Sequence, residues 1–215
     1  RDGGARLRHL SGVEECLDRG RHQELRLKPG ADPQALLRTL TEFGGVQLFE
    51  LAKLESEHTQ LHREAFAPGE LVQDVVLKYQ LPAREAGVDI ETDIPPDLPF
   101  VDADIALIER VLENLLDNAV RHTPGGGSVK VTLAADAGQV RVQVADTGHG
   151  IPAEELPRLF DRFYQVKKSQ DEVGGGVGLG LAIVKRILEL HAVSIVVYST
   201  LRAGTRFDFS LPASV

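Results

Sequence analysis

The chain has 215 residues, 42% of them hydrophobic and 26% charged, and a formal net charge of -8. That make-up fits one or two globular domains, excludes a disordered chain, and argues against general affinity for nucleic acid. No apolar stretch approaches the ~20 residues of a membrane span and no signal peptide is visible. The lone Cys16 excludes an internal disulfide framework and suits a reducing compartment. Met and Trp are absent, so a start methionine is missing and the chain is expected to be a piece of something longer.

In chain order, Arg6 to Arg21 has apolar spacing compatible with a helix (Leu7, Leu10, Val13, Leu17), and Lys28-Pro29-Gly30-Ala31-Asp32-Pro33 breaks it. A second helical run carries Leu36, Leu40, Phe43, Leu48, Leu51 and Leu54. Gly44-Gly45 lies inside it, each glycine costing about 1 kcal/mol relative to alanine. Two amphipathic helices with little else predict a helical hairpin in residues 1–65 that buries its stripe against a partner, most simply in a homodimer.

A new unit is expected from about residue 66 to the end. Ala67-Pro68-Gly69-Glu70 opens a helix running to about Ala86, and Val88 to Thr92 alternates as a strand does. Ile94 to Pro99 is a proline-rich loop, and Asp104 is placed to cap a helix that Thr123-Pro124-Gly125 ends. Ser128 to Ala134 and Gln139 to Asp146 form two alternating strands joined at Asp136-Ala137-Gly138. A short aromatic segment, Leu159 to Tyr164, precedes a polar stretch and then Gly174-Gly175-Gly176-Val177-Gly178-Leu179-Gly180. A helix over Leu179 to Leu190 and two strands, Ser194 to Ser199 and Thr205 to Leu211, close the chain. The order predicts an α+β fold, a two-layer α/β sandwich whose mixed sheet is covered by helices on one face, preceded by the helical dimerisation segment.

Three stretches carry chemistry. Asn114 and Asn118 stand four apart on the predicted helix that Asp104 caps, with Cβ atoms about 6 Å apart on one face. A neutral amide oxygen can complete the shell of a hard cation that keeps waters and bridges phosphates. Taken alone, the pair reads equally as two solvent-facing side chains. In Asp146-Thr147-Gly148-His149-Gly150-Ile151 a strand ends in a carboxylate beside a loop without side-chain bulk, where a planar base could lie; an ordinary glycine-rich loop is the alternative. The glycine run from Gly174 lets backbone N–H groups approach phosphate at the N-terminus of the following helix. It lacks the P-loop Lys-Ser/Thr and a βαβ setting, which argues against P-loop and Rossmann readings.

Together with Phe160 and Phe163, these motifs resemble the catalytic ATP-binding domain of sensor histidine kinases over roughly residues 66–213. That family shares the Bergerat fold with gyrase, Hsp90 and mismatch-repair ATPases. The resemblance implies Mg2+ and ATP as cofactors, with Asn118, helped by Asn114, as the metal ligand, and Arg121 and His122 as contacts to phosphate and to the sugar–base side. It implies that Asp146 reads adenine while Gly148, Gly150 and Ile151 line the base pocket. Gly176, Gly178, Leu179 and Gly180 fall in the lid hinge and phosphate cradle, and Phe160 and Phe163 in the pair that anchors the lid. A response regulator receiver domain is the implied partner. The implied location is cytoplasmic for this portion, within a parent expected to be an inner-membrane sensor.

Hydrolytic relatives place a Glu one helical turn before the metal-binding Asn, where it activates water. Asn114 occupies that position here, and Glu113 lies about 100° round the helix. The phosphoryl group is therefore expected to pass to a histidine, positioning and metal supplying most of the catalysis. The nearest match to the acceptor motif is His22-Gln23-Glu24-Leu25-Arg26-Leu27-Lys28-Pro29, out of register by two insertions and with Gln23 where an acid would serve as base. Residues 12–43 resemble the end of a HAMP signalling linker, and Phe43-Gly44-Gly45-Val46 reads as a join from which the acceptor helix is missing. The rival functions are a degenerate module that senses nucleotide without catalysis, and an ATPase or protein-serine kinase of the same fold.

Overall fold

The computed structural model describes residues 13–18, 23–27, 47, 50–51, 54–55, 60–164 and 178–214. Strands β1 (Val13–Asp18) and β2 (Gln23–Leu27) pair antiparallel. This corrects the helix expected over Arg6 to Arg21. The spacing of Val13 and Leu17 suits a helix, but ladder hydrogen bonds with Gln23–Leu27 supply the backbone partners that a strand needs. The second expected helix is seen at Gln47, Glu50, Leu51 and Leu54, all helical. Gly44-Gly45, His22 and Gly176 lie outside the described residues.

From residue 64 the expected order holds. Strand β3 (Glu64–Phe66) pairs with β5 (Val101–Ala103), two short strands added to the expected order. Helix α1 (Pro68–Glu85) starts on Pro68, whose missing N–H costs nothing in a first turn. Strand β4 (Asp89–Asp93) leads through the proline-rich loop to β5 and then to helix α2 (Ile105–His122). Strands β6 (Ser128–Asp136) and β7 (Gln139–Asp146) follow. They turn through Ala137 and Gly138, both at positive φ, the geometry of a tight two-residue hairpin. Helix α3 (Gly180–Leu190) and strands β8 (Ile195–Thr200) and β9 (Gly204–Pro212) complete the chain.

The sheet runs β4-β6-β7-β9-β8, with β4 and β6 parallel and the other pairs antiparallel. Val129, Val131, Leu133, Val140, Val142, Val144, Phe207, Phe209 and Leu211 alternate inward and are buried. Against them pack the apolar stripes of three helices, α2 lying between α1 and α3. Ile108, Val111, Leu112, Leu115, Leu116 and Ala119 give α2 its buried stripe, which fixes the faces on which its polar residues emerge.

Two knots hold the segment before α1 to this core. At the first, Asp104 caps α2 by accepting from the Leu107 N–H (3.2 Å) and also accepts from the His62 N–H (3.0 Å). The Asp104 N–H donates to His191 Nε2 (3.0 Å), and Arg63 reaches the His191 carbonyl (3.2 Å). His191 ends α3, where Ala192 at φ 57 lets the Ala192 and Val193 N–H groups return to Glu189 and Leu188. An alanine thus takes the left-handed position usually given to glycine, and the last two strands fall within a residue of expectation.

At the second, three arginines grip Glu50, Leu54 and Glu55. Arg110 of α2 clasps Glu50 bidentately (2.8 Å from Nε and from Nη2), Arg186 of α3 donates to the Leu54 carbonyl (3.1 Å), and Arg162 pairs with Glu55. Leu51 and Leu54 are buried beside them.

His191 is 3% exposed, and its Nε2 must stay unprotonated to accept from Asp104. Burial pushes its pKa below the ordinary 6.5, aided by Arg63 and opposed by the Ile187 carbonyl and by Asp104 and Asp102. The unfolded chain therefore binds a proton before the folded one does, so stability falls as pH drops below 6.5. The expected slope from this group approaches about 1.4 kcal/mol per pH unit. Urea melts between pH 5 and 7.5 should show it, and His191→Gln, which keeps an acceptor near Nε2, should remove it; equal slopes in both proteins would refute the assignment.

Candidate functional site

Asp146 is the last residue of β7, directly opposite Thr205 at the start of β9. Its Oδ1 accepts from the Gly148 N–H (2.8 Å) and the Thr205 N–H (3.2 Å), while Oδ2 has no hydrogen-bond partner among the described residues. Burial raises its carboxyl above the usual carboxylate value, against the pull of the two N–H groups and of His149. One oxygen is fixed in direction by the backbone, and the other is left as a directed acceptor.

The loop after Asp146 is packed where side chains would not fit. A Cβ on Gly148 would lie 2.4 Å from the His122 carbonyl oxygen, and one on Gly150 (φ +67) 2.0 Å from that of Thr200. The Ile151 N–H donates to Ser199 Oγ (2.8 Å), which is itself tied to Thr205 Oγ1 (2.9 Å) and the Gly204 carbonyl. Thr205 and Ser199 thus support the Asp146 loop, a part that no motif in the sequence gives them. The signal available was Gly204-Thr205 opening the strand that pairs with the Asp146 strand.

The two asparagines stand in different surroundings. Asn114 is 7% exposed; its Nδ2 donates to the Arg110 carbonyl (2.8 Å), and its Oδ1 lies where a Cβ on Gly180 would come within 2.8 Å. It therefore sits in the contact between α2 and the first turn of α3. Asn118, one turn on, is half-buried and makes no side-chain hydrogen bond among the described residues. Arg121 pairs with Asp117 on the exposed face, and His122 is engaged by a neighbour. Glu113 is turned away, held by Lys78 (3.2 Å) and Arg110 (3.3 Å).

Among the described residues no three His, Cys, Asp or Glu side chains gather to hold a metal. A hard cation would fit only as a shared ligand, taking the open Asn118 carboxamide and drawing its other oxygens from phosphate and water.

The glycine-bearing stretch is described from Gly178. Gly178 at φ +75 passes so close to Tyr164 that a Cβ would lie 2.6 Å from its carbonyl oxygen, and the Phe163 N–H donates to the Gly178 carbonyl (2.8 Å). Leu179 is fully buried, and Phe160 packs edge-on against Phe207 with ring centroids 6.4 Å apart. Residues 163 and 178 are thus joined backbone to backbone, and Phe160 is packed on the sheet.

The family described as histidine kinase-, DNA gyrase B- and HSP90-like ATPase matches residues 103–215. The adaptive-response sensory kinase SasA of Gloeothece citriformis is 39% identical over 162 residues, 75% of this chain and 39% of that protein. The chain therefore spans about two fifths of the length of that curated relative. Among solved structures, full-length ShkA in complex with AMPPNP is 28% identical, covering 87% of this chain and 41% of that one at a TM-score of 0.70. The histidine kinase ThkA in complex with the response regulator protein TrrA is 25% identical, covering 86% and 53% at a TM-score of 0.68. The chain belongs to the histidine kinase-, DNA gyrase B- and HSP90-like ATPase family, and its ATPase domain is of the sensor histidine kinase type.

Proposed function

We propose that the domain binds Mg-ATP between α2 and the glycine-bearing start of α3, and passes the γ-phosphoryl group to a histidine and thence to a response regulator aspartate. The observation that carries this is Asp146: Oδ1 held by two backbone N–H groups, Oδ2 free to accept from the exocyclic amine of adenine over a floor that Gly148 keeps clear. Asn118 supplies the open carboxamide for a magnesium ion shared with the phosphates, and that ion would neutralise charge on the transferred group. Arg121 and His122 close the same end of α2, and Gly176, Gly178 and Gly180 serve the phosphates.

In the transfer, a histidine nitrogen attacks the γ-phosphorus, the P–N bond forms as the bond to the bridging oxygen breaks, and ADP leaves with that electron pair. Hydrolysis is disfavoured because the carboxylates near Asn118 in sequence are committed elsewhere, Glu113 to Lys78 and Arg110 and Asp117 to Arg121. The regulator step draws its support from the ThkA complex with TrrA. Residues 1–65 as a signalling and dimerisation segment, residues 66–215 as the catalytic domain, and a membrane-anchored parent complete the proposal. The described residues contain no helix long and apolar enough to cross a membrane.

Asn118→Ala should lower Mg-ATP affinity by at least about tenfold to a hundredfold, the range for groups that merely orient a metal ligand. Unchanged affinity by calorimetry would remove Asn118 from the site. Radiolabelled ATP with the purified chain and an acceptor-bearing partner tests the transfer; sustained phosphate release with no labelled protein would favour the ATPase instead.

A further inference from the structure

The residue between Gly148 and Gly150 has no assigned part in this site, yet it makes the bonds that hold the loop in place. His149 donates its backbone N–H to the His122 carbonyl (3.2 Å), and its ring Nδ1 meets the same oxygen (3.0 Å). His122 is the last residue of α2, where carbonyls have no partner within the helix and carry the negative end of its dipole. An imidazole with its proton on Nδ1 is a donor suited to that place. On its other side the His149 carbonyl accepts from the Arg202 N–H (2.6 Å), in the turn between β8 and β9. One residue thus ties the end of the asparagine helix to the turn beside the Asp146 loop, and Gly148 lets the His122 oxygen come close enough for both bonds.

We infer that His149 is a positioning residue: by capping the His122 carbonyl it fixes the spacing between Asp146, which reads the base, and the Asn118 end of α2, which meets the phosphates. This rests on the nucleotide reading above. A ligand that touches both ends at once depends on that spacing; a ligand that touches one end does not. His149 is itself exposed, so its replacement leaves the core intact.

The test uses the whole chain as wild type, His149→Ala and His149→Asn, since an asparagine amide can donate from near the Nδ1 position. In ligand-free protein, His149→Ala should speed hydrogen exchange at the 149 and 202 amides, and His149→Asn should restore it. In titrations, His149→Ala should raise the Kd for Mg-ATP by about five- to tenfold and that for adenosine by less than about twofold, with His149→Asn close to wild type. Unchanged exchange, equal losses for Mg-ATP and adenosine, or failure of His149→Asn to rescue would each overturn the inference. A wild-type chain that binds no Mg-ATP would overturn the nucleotide reading instead, and the exchange data would still decide whether the ring clamps the loop.

Discussion

Replacing Gly204 with Val is expected to lower the melting temperature by about 6–12 °C, the shift that corresponds to roughly 3 kcal/mol in a domain of this size. Gly204 opens β9 at φ +93, a conformation that β-branched residues adopt only under strain. A Cβ there would lie 1.9 Å from the carbonyl oxygen of Asp146, so backbone must move, and neither β7 nor β9 can move alone within the sheet. The displacement passes to Thr205, whose N–H holds Asp146 Oδ1, so nucleotide affinity should fall with stability. Gly138→Asn is the control. It also has positive φ (+80) but nothing within 4 Å of its Cβ, and asparagine tolerates that region, so it should cost less than about 1 kcal/mol. Parallel thermal melts decide the matter; similar losses in the two variants would show that φ alone, and not the approach to Asp146, sets the cost.

Asp146→Asn should lower affinity for ATP by about ten- to a hundredfold, the value of a hydrogen bond to a charged group. The asparagine oxygen can still accept from Gly148 and Thr205, so the loop should keep its shape. Its NH2 group then stands where Oδ2 was and opposes the adenine amine, donor against donor. The guanine carbonyl suits that donor, so the preference for adenine over guanine should shrink or reverse. Competition between ATP and GTP measures this directly, and a retained adenine preference would mean that another group reads the base.

Most of the domain was legible because its elements announce themselves locally. Asp104 caps α2 by the bond its position implied, and the alternation of Val129, Val131 and Leu133 against Val140, Val142 and Val144 set the β6–β7 register. What stayed hidden depends on partners far away in sequence. Val13–Asp18 reads as helix because four apolar residues happen to fall three and four apart, and only the ladder with Gln23–Leu27 decides otherwise. Strand β3 is three residues long and gains its identity from β5. In the candidate site, the motifs point to Asp146 and Asn118 as proposed contacts. The approach of Gly180 to Asn114, the support that Ser199 gives Ile151 and Thr205 gives Asp146, and the place of His191 beneath Asp104 each need a contact across tens of residues.

The grip of Arg110, Arg162 and Arg186 on Glu50, Glu55 and Leu54 makes three anchorages close together in sequence. They come from α2, from the aromatic segment before the glycines and from α3, so no one of them can slacken without loading the other two. Their energies form a single coupled quantity rather than three separable ones. A displacement of Glu50, Leu54 and Glu55 would accordingly load the asparagine helix and the helix that follows the glycines together.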